Sequence, residues 1–182
     1  MNRTLIIVKP HAVERGLVGT FLERFEKMRL NLEAVKVLRE SAEFWTRFYP
    51  SHDEWCKNVG SKTLENCSRF GISVKEHLGT DEAEAIGRLV KGWLVDHMTS
   101  GPSVAAIISG NEATTKVRLA CGSTLPNMAA PGTIRFDYST DSPILANLEK
   151  RPVYNLIHAS DPSETREGVS AAEYEIGMVF GA

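Results

Sequence analysis

Thr4 to Val8 is an almost unbroken apolar run of five residues, too short for a core helix, and it predicts a buried strand. Val18, Phe21, Leu22, Phe25 and Met28 then recur three and four apart, with Glu23, Arg24 and Lys27 on the opposite side. That spacing predicts an amphipathic helix. Leu32 to Leu38 alternates as a half-buried strand does, and Val104 to Ile108 reads as a second, central buried strand. Asn111 offers a capping side chain to a helix running to Cys121. Further on, Arg135 falls in a strand-like run. Tyr174 to Phe180 reads as the strand that closes the sheet, and the ordinary reading of Glu175 there is a solvent-facing residue alternating with Tyr174 and Ile176. Strands and helices in this order predict an α/β (α+β) chain compatible with a ferredoxin-like sandwich.

Composition narrows what such a chain does. Its 182 residues suffice for one well-buried domain. With 24% charged residues and a formal net charge of −2, the chain lacks the electrostatic footprint of a partner for nucleic acid or a membrane surface. The first apolar run is too short for a signal peptide and leads straight into Lys9-Pro10; no stretch approaches a membrane span. Cys56, Cys67 and Cys121 are odd in number and widely spaced, as expected of a cytoplasmic protein. His52, Cys56, Cys67 and His77 share one excursion of the chain and are a candidate zinc set, but they lack the short Cys-x-x-Cys clip. The bland alternative is buried thiols in a small helical lobe.

The candidate chemistry centres on His158, in the stretch Asn155-Leu156-Ile157-His158-Ala159-Ser160-Asp161. Imidazole titrates near neutrality, so a nucleophilic neutral form is available, and a covalent intermediate divides a difficult transfer into two easier steps. Phosphoryl transfer otherwise asks for positioning and for cations against phosphate oxygens. Lys9, Arg118 and Arg135 are dispersed cations of that kind, beside the tight turns Thr99-Ser100-Gly101-Pro102 and Ala130-Pro131-Gly132-Thr133. Taken singly, each has an ordinary reading as well: Arg118 on a solvated helix face, Arg135 as an exposed strand charge, Lys9 as a surface marker at a strand end. No Gly-x-x-x-x-Gly-Lys-[Ser/Thr] loop is present, so side chains would have to hold the phosphates.

Four segments in order resemble the nucleoside diphosphate kinase family: Arg3 to Pro10 continuing through Ala12 to Gly19; Met98 to Pro102; Arg118 with Gly122 to Pro126 and Ala130 to Arg135; and Asn155 to Asp161 followed by Glu173 to Ile176. The resemblance implies a mainly antiparallel four-stranded sheet with helices on one face, plus an inserted helical lobe. It also implies transfer of the γ-phosphate of a nucleoside triphosphate to a diphosphate, by a ping-pong route through phosphorylated His158. By the same resemblance Lys9 binds the transferred phosphate, and Arg118, Thr124 and Arg135 hold the nucleotide phosphates. Asn155 contacts sugar and phosphate, Glu175 orients the histidine, and Ser160 is linked to Glu175. Tyr49 lies near the transferred group, and Val90 and Leu94 fall at the base contacts. Mg²⁺ would bridge the nucleotide phosphates with no dedicated protein ligands, and the chain would form a homo-oligomer, hexamer or tetramer.

The chain departs from the resembled pattern at several positions. Residue 11 is His where the family usually has Asp, Ala159 and Phe136 stand where it usually has glycine, and Val90 replaces an aromatic base platform. The expected arrangement is a single domain over 1–182, with an insertion at about 50–88 and shorter ones near 140–151 and 162–169. The departures motivate one alternative of another class, a catalytically silent nucleotide-binding or assembly module of the same fold.

Overall fold

The computed structural model describes residues 2–181. The chain divides into two units. The first holds residues up to Arg39, Gly101–Thr140 and the chain from Asn155 on; the second holds Glu40–Ser100 and Asp141–Tyr154.

The first unit contains β1 (Asn2–Val8), α1 (Pro10–Glu14), α2 (Val18–Lys27), β2 (Asn31–Leu38), β3 (Ser103–Gly110), α7 (Ala113–Cys121), α8 (Ile134–Tyr138), β4 (Ile157–Ala159), the short strands β5 (Thr165–Arg166) and β6 (Val169–Ser170), and α10 (Ala171–Phe180). Among the described residues these give one four-stranded sheet, ordered β2-β3-β1-β4, with every neighbouring pair antiparallel. The fold is α+β and ferredoxin-like. Every residue of β3 and the last five of β1 are buried, which explains why their sequences read as continuous apolar runs and not as alternations. One sheet face carries Ile6, Val8, Ala106 and Ile108, and meets Phe21 and Phe25 of α2 and Val117 of α7. Helix α10 packs against β1, and Lys36 of β2 donates from Nζ to the Val179 carbonyl at 2.9 Å.

Three local expectations are corrected. The stretch from Tyr174 to Phe180 is not a strand but most of α10, and β4 closes the sheet. The buried positions Ala171, Ala172, Glu175, Ile176 and Val179 follow a helical period. Its start carries a capping box, in which Ser170 accepts from the Glu173 N–H and Glu173 returns a bond to the Ser170 N–H. Arg135 lies in the short helix α8, not in a strand, and is buried. Helix α7 is capped by Glu112 at φ 54° instead of Asn111, and the Ala113 N–H donates to Asn2 Oδ1 at 2.6 Å.

The second unit contains α3 (Ala42–Phe48), α4 (Asp53–Arg69), α5 (Val74–Leu78), α6 (Ala83–Thr99) and α9 (Pro143–Leu148). Its long helices α4 and α6 cross at two glycines. A Cβ on Gly60 would lie 1.8 Å from the Ala83 carbonyl oxygen, and one on Gly87 2.0 Å from that of Cys56. Cys67, Val74 and Ile86 form a small core with Val90 packed against it.

Candidate active site

The site is built where the end of β1, the short strand β4 and the start of α10 meet. His158 sits on β4 directly opposite Ile7 of β1. Its Nε2 lies 2.9 Å from Oε2 of Glu175, and its side chain is 21% exposed. The same Oε2 accepts the Ser160 hydroxyl at 2.6 Å, and Ser160 Oγ in turn accepts the Leu5 N–H at 3.2 Å. Glu175 is thereby fixed by strand β1 through a wholly buried serine. Burial works against its charge, but His158, the Ser160 hydroxyl and Arg166 outweigh that and hold the carboxyl below its usual range.

Lys9 follows β1 and is only 4% exposed. Its Nζ donates to Asn155 Oδ1 at 2.7 Å. Burial, helped by the charge of Arg135, pushes its ammonium down to about 7. Asn155 Nδ2 donates onward to the Thr124 carbonyl at 3.1 Å. Arg135, 3% exposed, spends three N–H groups on the carbonyls of Gly122, Asn155 and Ile157. It therefore braces the segment leading into His158. Burial, and secondarily the neighbouring Arg118, lower its pKa, with Cys121 opposing. Arg118 reaches from α7 to the Ala159 carbonyl at 3.2 Å and to Asp161 Oδ2 at 2.8 Å. Asp161 Oδ1 accepts both the Ser163 N–H and its hydroxyl.

Lys9, Arg118, Thr124, Arg135, Asn155, His158, Ser160 and Glu175 thus converge in the first unit. Tyr49, Val90 and Leu94 belong to the second: Tyr49 packs edge-on to Phe48, and Val90 and Leu94 lie one turn apart on α6. Ala159 occupies extended backbone paired with Ile6, and its Cβ joins the core, so glycine is not required there. The loop after Asp161 folds back as the β5–β6 hairpin, with Glu167 and Gly168 at φ 50° and 83°, and delivers the chain to the capping box of α10. That return brings Glu175 to His158.

Two contacts were not visible in the residue pattern: the Arg118–Asp161 pair, and a bond from the Leu156 N–H to His11 Nε2 at 3.1 Å. The position of His11 where an acidic residue is usual was the available signal. Of the suggested zinc set, His52 caps α4 through Nδ1 and His77 Nε2 contacts the Asn147 carbonyl. Among the described residues no three His, Cys, Asp or Glu side chains converge on a point where a metal could sit. No described helix is long and apolar enough to cross a membrane.

A family model for nucleoside diphosphate kinase matches residues 2–64 and 82–182, leaving 65–81 outside it. A nucleoside diphosphate kinase of Pyrobaculum aerophilum is 48% identical over 170 residues, covering 93% of either chain. The crystal structure of an NDP kinase from Pyrobaculum aerophilum superposes with a TM-score of 0.91 at 46% identity, over 98% of this chain and 94% of that one. A nucleoside-diphosphate kinase from Borrelia burgdorferi, a transition state mimic with bound vanadate and ADP, gives a TM-score of 0.72 at 30% identity, over 98% of this chain and 86% of that one.

Proposed function

The chain belongs to the nucleoside diphosphate kinase family and is a phosphotransferase, and from that premise we propose that it works by a ping-pong route through His158. The observation that carries the mechanism is the contact of His158 Nε2 with Glu175. A carboxylate accepting the Nε2–H fixes the neutral tautomer whose lone pair is on Nδ1. Nδ1 attacks the γ-phosphorus of a nucleoside triphosphate. The P–N bond forms as the bond to the β–γ bridging oxygen breaks, and its electron pair leaves with the diphosphate. Glu175 stabilises the positive charge that the ring acquires. A second nucleoside diphosphate then attacks the phosphohistidine with a terminal phosphate oxygen, and the P–N electrons return to Nδ1.

Lys9 is suited to neutralise the transferred group, because a desolvated ammonium gains most from an incoming anion. Arg118 and the two N–H groups of Arg135 not spent on carbonyls supply further donors to phosphate. Thr124 and Asn155 complete the phosphate and sugar contacts in this reading. Kinases of this family work with a divalent metal. Here we assign it to Mg²⁺ brought in on the nucleotide, whose phosphates and waters supply its ligands. Assembly as a homo-oligomer belongs to the same proposal, and mass measurement in solution reads it. The test of mechanism is His158→Gln. The variant should keep the fold and lose turnover by at least about 10⁴-fold. Substantial residual transfer from a folded variant would sink the proposal.

A further inference from the structure

Leu156 holds an unusual conformation two residues before the nucleophile. It has φ 71° without being glycine, and it is wholly buried. The Ile157 N–H donates to the Asn155 carbonyl at 2.8 Å, closing a three-residue γ-turn around it. A turn of this hand is rare and strained, and it persists only where its surroundings over-determine it. Its outer groups must also find partners, since buried backbone donors and acceptors are rarely left unpaired. The Leu156 carbonyl accepts the Lys9 N–H at 2.9 Å, and the Leu156 N–H donates to His11 Nε2 at 3.1 Å. Both clamps come from the tripeptide Lys9-Pro10-His11, where Pro10 opens α1. The same Lys9 holds the Asn155 side chain through Nζ.

We propose that His11 is a positioning residue for phosphoryl transfer, its Nε2 acting as the acceptor that holds the strained Leu156 turn and so sets Asn155 and His158. This rests on the reading of His158 as nucleophile. The role demands an unprotonated Nε2 and hence the proton on Nδ1, because an Nε2–H would oppose the Leu156 N–H donor to donor. An acceptor with the reach of Nε2 meets the same need, and the amide oxygen of glutamine has it, whereas the oxygen of asparagine reaches only as far as Nδ1. A donor or an apolar group of the same bulk does not.

The experiment compares the full chain with His11→Leu, His11→Asn and His11→Gln. Three readouts are taken: single-turnover phosphorylation from a nucleoside triphosphate with Mg²⁺, nucleotide affinity, and hydrogen exchange at the Leu156 amide. His11→Leu should slow phosphorylation by about tenfold or more, with a smaller change in affinity, and should expose the Leu156 amide to exchange. His11→Gln should recover both, and His11→Asn should recover less than His11→Gln. A folded His11→Leu protein with unchanged rate and a protected Leu156 amide overturns the inference. Should His11→Leu fail to fold, ¹⁵N spectroscopy of the unsubstituted protein decides: a non-protonated Nε2 coupled to the Leu156 amide supports the assignment, and a protonated Nε2 overturns it. If the unsubstituted protein takes no phosphate on His158, the functional reading fails, whereas the spectrum still reports on the turn.

Discussion

Glu175 is the residue whose surroundings say most about the chemistry. Its carboxylate is buried, yet a serine hydroxyl and an imidazole meet the same oxygen and keep it charged. Replacing it by the isosteric amide keeps the shape and removes the charge. Glu175→Gln should keep the fold at a somewhat lower melting temperature and slow single-turnover phosphorylation of His158 on the order of tenfold or more. An unchanged rate would show that the carboxylate only fills space. At this scale the sequence was unevenly informative. His158, Lys9, Asn155, Arg118 and Arg135 stand out as candidates by type and by the order of their motifs. What Arg135 does with its donors does not, since three of them turn inward to carbonyls that only the fold brings near. What His11 and Asp161 bond to is hidden for the same reason. Their partners lie 145 and 43 residues away.

The elements show why one end of the chain was misread. Tyr174 to Phe180 is rich in aromatic and β-branched residues, which favour strands by propensity. The tertiary packing overrode that, and the decisive local signal was polar: Ser170 three residues before Glu173 announces a helix start. Arg135 was misplaced for a related reason, because a five-residue helix is too short for a period to register. The crossing of the long helices α4 and α6 is not legible either, since nothing in the spacing of Gly60 and Gly87 says that each faces a backbone. The crossing yields a sharp expectation. Alanine is better than glycine inside a helix by about 1 kcal/mol, so Gly87→Ala would stabilise a free helix. Here the added Cβ meets the Cys56 backbone, which cannot move aside like a side chain end. Gly87→Ala should therefore destabilise the protein by about 1–3 kcal/mol net, read as a lower denaturant midpoint. A higher midpoint would mean that α4 and α6 do not approach as described.

For the whole molecule, the family and the ferredoxin-like sheet were legible because four motifs occur in order and the two central strands are buried on both faces. The division into two units was not, since the second is assembled from two separate stretches of chain. The buried Lys9 also leaves a global trace. Unfolded, a lysine keeps its ordinary value near 10.5, whereas in the fold it is pushed down to about 7. Between those values the unfolded chain binds more protons, so this group makes the unfolding free energy rise with pH across that window. The penalty is full below about 7 and is relieved as pH climbs; it is worth a few kcal/mol by order of magnitude. Lys9→Met should flatten the rise in denaturant titrations between pH 7 and about 10. An unchanged slope would mean that Lys9 is not desolvated. The central claim, a phosphate carried on His158, is tested most directly by mixing the unsubstituted protein with γ-labelled nucleoside triphosphate and Mg²⁺ in the absence of acceptor. The account predicts acid-labile label on His158 that is discharged when a nucleoside diphosphate is added. A folded protein that binds the nucleotide but takes no label, or carries it on another residue, would contradict it.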